Sequence, residues 1–192
     1  MKVPYHYRAP DVRDEDDEFE DRPPLIVRFL KGASFYIIVA LVFLFINLVV
    51  VRLGVVNGSS MEPTLHDRDL VVIWQLFYQP EVGDIVVTND ENELAISLTK
   101  RVIATGGQQV VIEDGQLFVD GELRTEPYLL ESAWGGVSLN VMVPDGQLFL
   151  MGDNRNGSYD SRNLGSIPED DLMGRVVARI WPLSGIRGFG RE

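Results

Sequence analysis

The chain has no cysteine and only two histidines, His6 and His66. No disulfide can brace it, so residues 52–192 must build a core from packing alone, and that length is sufficient for it. With no thiol and one histidine beyond the amino-terminal region, a zinc site of the usual His/Cys type cannot be assembled. No glycine-rich phosphate loop opens a helix anywhere. Neither a metal nor a cofactor is expected. Positive charge is also scarce: 17 Lys and Arg stand against 29 Asp and Glu, a net charge of -12. That balance excludes the basic face that nucleic-acid binding requires. It also excludes electrostatic adhesion to anionic lipid, so any contact with a bilayer must be apolar. Internal repeats are missing too.

What the chain does have, first, is an uncharged apolar run. No charged residue lies between Lys31 and Arg52, and at about 1.5 Å per residue a helix over 32–51 reaches about 30 Å, the thickness of a bilayer's hydrocarbon core. A cleaved secretory signal would need a short basic start and a small-residue cleavage site. Here the run follows 31 residues that include Asp14-Glu15-Asp16-Asp17-Glu18, and Val-Arg-Leu-Gly-Val-Val comes after it. The reading is a retained single-span anchor at 32–51 behind a disordered acidic tail at 1–31. Arg22, Arg28 and Lys31 before the span outweigh Arg52 and Arg68 after it. This places the amino terminus in the cytoplasm and residues 52–192 outside the cell membrane.

Beyond Asp69 the pattern changes to short strands. Leu70–Trp74, Asp84–Thr88, Leu94–Thr105, Gln109–Glu113, Gln116–Val119, Gln147–Met151 and Arg175–Trp181 are rich in β-branched and apolar residues. Asp114-Gly115 and Asp120-Gly121 are hairpin turns. A short helical turn is expected near Pro168–Asp171. The fold class is mainly β: a folded sheet or barrel-like ectodomain with one amino-terminal transmembrane helix.

Two residues carry candidate chemistry. A serine hydroxyl is a poor nucleophile until a base removes its proton, and a neutral lysine can be that base. Ser60 lies in Gly58-Ser59-Ser60-Met61-Glu62-Pro63-Thr64-Leu65, just past the apolar run, where Pro63 stiffens the turn. Lys100 lies in a strand with Leu98 and Val102 on its own face, while Thr99 and Arg101 point the other way. To stand neutral near physiological pH it must lose about 3–4 kcal/mol of charged-state solvation, which burial can impose. On the strand pattern alone, a surface lysine whose stem covers apolar area is the more common case. A Ser-His-Asp triad would have to use His66, awkwardly close to Ser60 in sequence. Asp153-Asn154-Arg155 and Ser158-Tyr159-Asp160-Ser161-Arg162 form a polar cluster that reads either as a solvated loop or as support for a buried lysine.

Taken together these segments resemble the type I signal peptidases of bacteria. Ser60-Met61-Glu62-Pro63-Thr64-Leu65 is similar to the nucleophile motif and Gly83-Asp84-Ile85-Val86-Val87 to the strand that follows it. Lys100-Arg101-Val102-Ile103 resembles the general-base motif, and Gly152 through Arg162 the supporting one. The resemblance implies Ser60 as nucleophile and Lys100 as general base. Ser158 would orient Lys100, and Asp160, Arg162 and Arg101 would form a supporting ionic network. It implies an oxyanion site built on the Ser60 backbone N–H, because Gly58 stands where some members supply a hydroxyl. Met61, Leu65, Leu98 and Thr99 would bound the substrate pockets, and His66 becomes a loop residue. The expected partners are preprotein signal peptides cut after small residues, the lipid bilayer and, nearby, the secretion translocon. A protease of the same fold dedicated to one substrate, such as a pilin or conjugation protein, and a silent membrane-anchored β scaffold are the other readings.

Overall fold

The structure, a computed structural model, describes residues 25–89, 97–129, 135 and 137–190. The chain divides between Leu41 and Val42 into two compact units. Helix α1 runs Leu25–Phe45, and a single π turn, Ile46–Val50, follows it. Two corrections to the sequence reading arise here. Residues 25–31, assigned to the tail, are helical: the helix begins directly after Pro23-Pro24, residues tolerated before a helix but not inside one. The lone charges Arg28 and Lys31 do not oppose it, since both are good helix formers. At the other end, Val51 already belongs to a strand. Among the described residues no helix is long and apolar enough to cross a membrane. The uncharged run is instead divided among α1, the π turn and the first strand residue. Where its side chains are described, α1 exposes apolar groups at successive positions, Phe35, Tyr36, Ile37 and Ile38 among them. It is therefore apolar all round rather than along one stripe. The rest of the expected tail, residues 1–24, lies outside the described residues.

The second unit is β. Its strands in chain order are β1 Val51–Val55, β2 Leu70–Trp74, β3 Ile85–Thr88, β4 Thr99–Thr105, β5 Gln109–Glu113, β6 Gln116–Val119, β7 Glu122–Leu123, β8 Leu139–Met142, β9 Gln147–Met151, β10 Ile167–Pro168, β11 Leu172–Trp181 and β12 Arg187–Gly188. A short helix α2, Ser161–Leu164, follows β9. The larger sheet has the order β1-β2-β11-β3-β4-β9-β10, with β12 on β11; the smaller is β7-β6-β5-β8. Every pairing is antiparallel. The hairpin turns form as their residues demand. Asp114 and Gly115 have φ of 50° and 72°, and Asp120 and Gly121 have φ of 54° and 79°, the doubly left-handed backbone of a two-residue hairpin loop. The expected strand from Leu94 begins only at Thr99, residues 94–96 lying outside the described residues, whereas β1, β7, β8, β10 and β12 had no sequence assignment.

Three buried clusters hold the sheets. Ile103, Val110, Ile112, Leu117, Val119 and Phe149 join the small sheet to β4 and β9. Met61, Leu65, Val71, Ile73, Ile85 and Val176 fix the loop after β1 against β2, β3 and β11. Val86, Val102, Leu148, Leu150 and Ile167 form the third. Ser60 directly precedes the buried Met61, and Lys100 faces the buried Val86 across the ladder. Phe149 is 1% exposed whereas Leu123 is 57% exposed. Phe149→Ala is expected to cost about 3–5 kcal/mol of stability, and Leu123→Ala less than about 0.5 kcal/mol. Denaturant unfolding of the two variants measures the difference.

Candidate active site

The loop between β1 and β2 delivers Ser60. Its ends are tied together by Val56 N–H donating to Asp69 C=O at 2.9 Å and Arg68 N–H donating to Val56 C=O at 2.8 Å. Gly58 takes φ +87°, a left-handed conformation that glycine adopts without a Cβ penalty, and its N–H donates to Asp67 Oδ1 at 2.8 Å. Met61 and Leu65 are sealed in the core at 1% and 0% exposure, so they anchor the loop from beneath. They do not line the cavity next to Ser60, contrary to their expected place as pocket walls. A side chain that follows the nucleophile into the core cannot also face a substrate.

Strand β4 delivers Lys100. The residue directly across the ladder is Val86, and Val102 is its same-face neighbour along the strand. Lys100 is only 4% exposed, yet Nζ lies 2.6 Å from Ser60 Oγ and donates to Thr99 C=O at 3.1 Å. Burial holds this amine below the ordinary lysine range. Asp160 and Asp153 pull it upward and Arg162 pushes it down, but desolvation prevails. The two groups open into a cavity of about 260 Å³ whose walls include Arg52, Gly54, Leu98 and Thr99. Of the four expected pocket residues, then, Leu98 and Thr99 line it. His66 sits apart on the loop with its N–H donating to Asp69.

The polar cluster after β9 is ordered around two arginine–carboxylate forks. Arg162 donates through Nε and Nη2 to the two oxygens of Asp160 at 2.8 and 2.9 Å. Asp160 also caps α2 and accepts from Gly152 N–H at 3.0 Å. Burial alone would raise the Asp160 carboxyl, but the Arg162 fork holds it below the usual carboxylate range. Arg101, expected in that same network, instead pairs with Asp153, donating at 2.8 and 2.7 Å. It also donates to Gly83 C=O at 2.8 Å. Thr64 Oγ1 donates to the same Asp153 at 2.5 Å. Strand alternation explains the separation, because Arg101 leaves β4 on the face opposite Lys100. Ser158 Oγ is buried with no hydrogen-bond partner among the described residues. Its nearness to Asp160 adds to holding that carboxyl down, and no hydrogen bond joins it to Lys100.

Several contributors escaped the sequence reading. Asn154 N–H donates to Ser60 C=O at 3.0 Å, and Asn154 Nδ2 donates to Ser59 C=O at 3.2 Å. Gly152 is required nearby: a Cβ there would collide with Ser158 Oγ and the Ser60 carbonyl. From the smaller sheet's connection, Glu126 reaches Arg155 of the same loop and Tyr128 reaches Arg101 on β4. Asn154 had a visible signal, its place in a dense polar run; Glu126 and Tyr128 had none.

Comparison with known proteins gives a family. The family described as signal peptidase, peptidase S26, matches residues 27–181. Signal peptidase I T of Bacillus subtilis is 38% identical over 172 residues, 83% of this chain and 89% of that protein. A Synechocystis protein named "Probable signal peptidase I-2" is 34% identical over 139 residues, covering 67% of this chain and 62% of its relative. A crystal structure of a signal peptidase I from Enterococcus faecalis is similar at a TM-score of 0.45 and 26% identity, covering 51% of this chain and 97% of that one. With a family match across residues 27–181 and a relative 38% identical over 83% of its length, the chain belongs to the S26 signal peptidase family.

Proposed function

We propose that this peptidase is a membrane-anchored serine endopeptidase that removes amino-terminal signal peptides from exported preproteins, with Ser60 as nucleophile and Lys100 as general base. The observation that carries the reading is the 2.6 Å separation of Lys100 Nζ and Ser60 Oγ, with the amine buried. An amine kept neutral by desolvation accepts the hydroxyl proton as Ser60 Oγ attacks the scissile carbonyl. The resulting ammonium returns that proton to the leaving amine, and an acyl-enzyme forms. Lys100 then takes a proton from water, the hydroxide opens the ester, and Ser60 is regenerated. The Ser60 backbone N–H is the donor assigned to the tetrahedral oxyanion. Gly58 contributes no hydroxyl, and its own N–H is already held by Asp67.

Asp160, Arg162 and Arg101 support this chemistry by holding their loops in place. Edge strand β1 and the chain at Ser97–Thr99 both border the cavity, which favours a substrate bound extended as an added strand. A volume of about 260 Å³, bounded by Leu98 and Thr99, favours small side chains before the cut, the Ala-x-Ala type. The exposed apolar side chains of α1 and the positive residues Arg22, Arg28 and Lys31 support an anchor with the amino terminus in the cytoplasm and the β unit outside.

Ser60→Ala and Lys100→Ala are each expected to abolish processing of a preprotein, read by mass spectrometry of the products. Retention of wild-type cleavage by either variant would refute the dyad. The pH dependence has a definite sign. Activity needs the neutral amine, so kcat/KM should rise with pH through an acidic limb lying below the ordinary lysine range. Asp160→Asn removes a charge that favours the ammonium and should move that limb to lower pH. Arg162→Gln removes a charge that disfavours it and should move the limb to higher pH. A pH–rate profile of the three proteins tests both directions.

A further inference from the structure

The six-residue connection Arg124–Leu129, which leaves the smaller sheet after β7, makes one buried contact with the loop that follows β9 and one with Arg101 on β4. Glu126 accepts from Arg155: Nη1 donates to Oε2 at 2.7 Å and Nη2 donates to Oε1. Both side chains are almost wholly buried, at 2% and 7% exposure. The third donor of Arg155, Nε, binds Gly152 C=O at 3.0 Å. Tyr128 donates through its hydroxyl to Glu126 Oε1 at 2.8 Å and lies flat against Arg101, whose Cζ is 3.9 Å from the ring centroid. Arg101 in turn holds Asp153. The connection therefore holds Gly152–Arg155 directly at Arg155 and, through Arg101, at Asp153. Within that stretch Asn154 N–H donates to the Ser60 carbonyl, and Gly152 packs so closely on that carbonyl that no side chain fits between them.

We propose that Glu126 is a positioning residue for the reaction, acting through Arg155 on the backbone that sets the register of Ser60 against Lys100; the inference rests on the Ser60–Lys100 reading above. The physical basis is the rigidity of a buried two-point arginine fork. Its two parallel bonds fix distance and plane together, and a misplacement of about 1 Å at the reacting atoms can cost about 100-fold in rate. Glu126 touches neither substrate nor the reacting atoms. The charges that act on Lys100 are Asp160, Arg162 and Asp153, and Glu126 is not among them. Its loss should therefore slow the chemical step without moving the pH dependence.

The test uses the full chain in detergent with a preprotein substrate, and counts active sites with a serine-reactive acylating probe. Glu126→Gln, which keeps the size and removes the charge, should lower kcat per titrated site on the order of tenfold, leave KM within about twofold, and leave the acidic limb of kcat/KM where it was. Glu126→Asp should recover part of the loss. Arg155→Lys should reproduce it, and the Glu126→Gln/Arg155→Lys double variant should be no slower than the worse single one. A wild-type kcat per titrated site in Glu126→Gln, even with a lowered melting temperature, would show a structural contact only and overturn the proposal; so would additive losses in the double variant. If Glu126→Gln does not fold, Tyr128→Phe keeps the ring on Arg101 and deletes only the hydroxyl on Glu126. It should lower kcat per site with the same unmoved pH limb, and an unchanged kcat there overturns the proposal. Ser60→Ala and Lys100→Ala run in parallel separate the two failures. Residual turnover in those variants sinks the dyad, whereas a dead dyad beside a fully active Glu126→Gln sinks only the positioning role.

Discussion

A primary amine buried in contact with a hydroxyl is costly to build, and much of the β unit is arranged around it. Lys100 at 4% exposure has given up hydration that an ammonium would ordinarily demand. Its position is tolerable because the charged form is disfavoured rather than stranded. The carboxylate that acts most strongly on the amine, Asp160, is already engaged by Arg162, so its negative charge is largely neutralised before it reaches the amine. Were Asp160 unpaired, it would draw a proton onto Lys100. The fork therefore shapes the environment of the amine as well as the loop.

The same constraint explains why arginine–carboxylate pairs recur around this site. Arg101–Asp153, Arg162–Asp160 and Arg155–Glu126 are all buried or nearly so. Pairs of that kind contribute little net stability over apolar residues of equal volume, but removing one partner leaves an uncompensated charge at about 3–5 kcal/mol. Their value lies in geometry, since a planar fork fixes position more tightly than packing does. Asp153 illustrates this: it collects Arg101 from β4 and Thr64 from the nucleophile loop, tying together three segments far apart in sequence.

How much of this was readable beforehand depends on the range of the interaction. Hairpin turns at Asp114-Gly115 and Asp120-Gly121 and the strand cores from Leu70 to Trp181 follow from local backbone preference and alternation, and they formed where expected. Lys100 beside Leu98 and Val102 was legible as a candidate for burial, though the strand alone equally described a surface lysine. Met61 and Leu65 were misplaced because a hydrophobic residue near a serine looks the same whether it faces a pocket or the core. Arg101 was expected in one network with Asp160 and Arg162, yet it pairs with Asp153, because two acidic residues in one polar run cannot be told apart without the direction of the strand.

The sequence by itself determined the class of the fold, the lack of any cysteine for a disulfide, the acidic charge and the two residues whose chemistry fits acyl transfer. These follow from residue type and short-range spacing, which survive without coordinates. Only the tertiary structure decided that the Lys100 amine and the Ser60 hydroxyl meet, which carboxylate each arginine holds, and that Glu126 and Tyr128 brace the loop from the smaller sheet. The reason is physical: desolvation and pairing depend on what lies within a few ångströms in space. Chain folding sets those neighbours across separations of 29 residues for Arg155 and Glu126, 40 for Lys100 and Ser60 and 89 for Thr64 and Asp153.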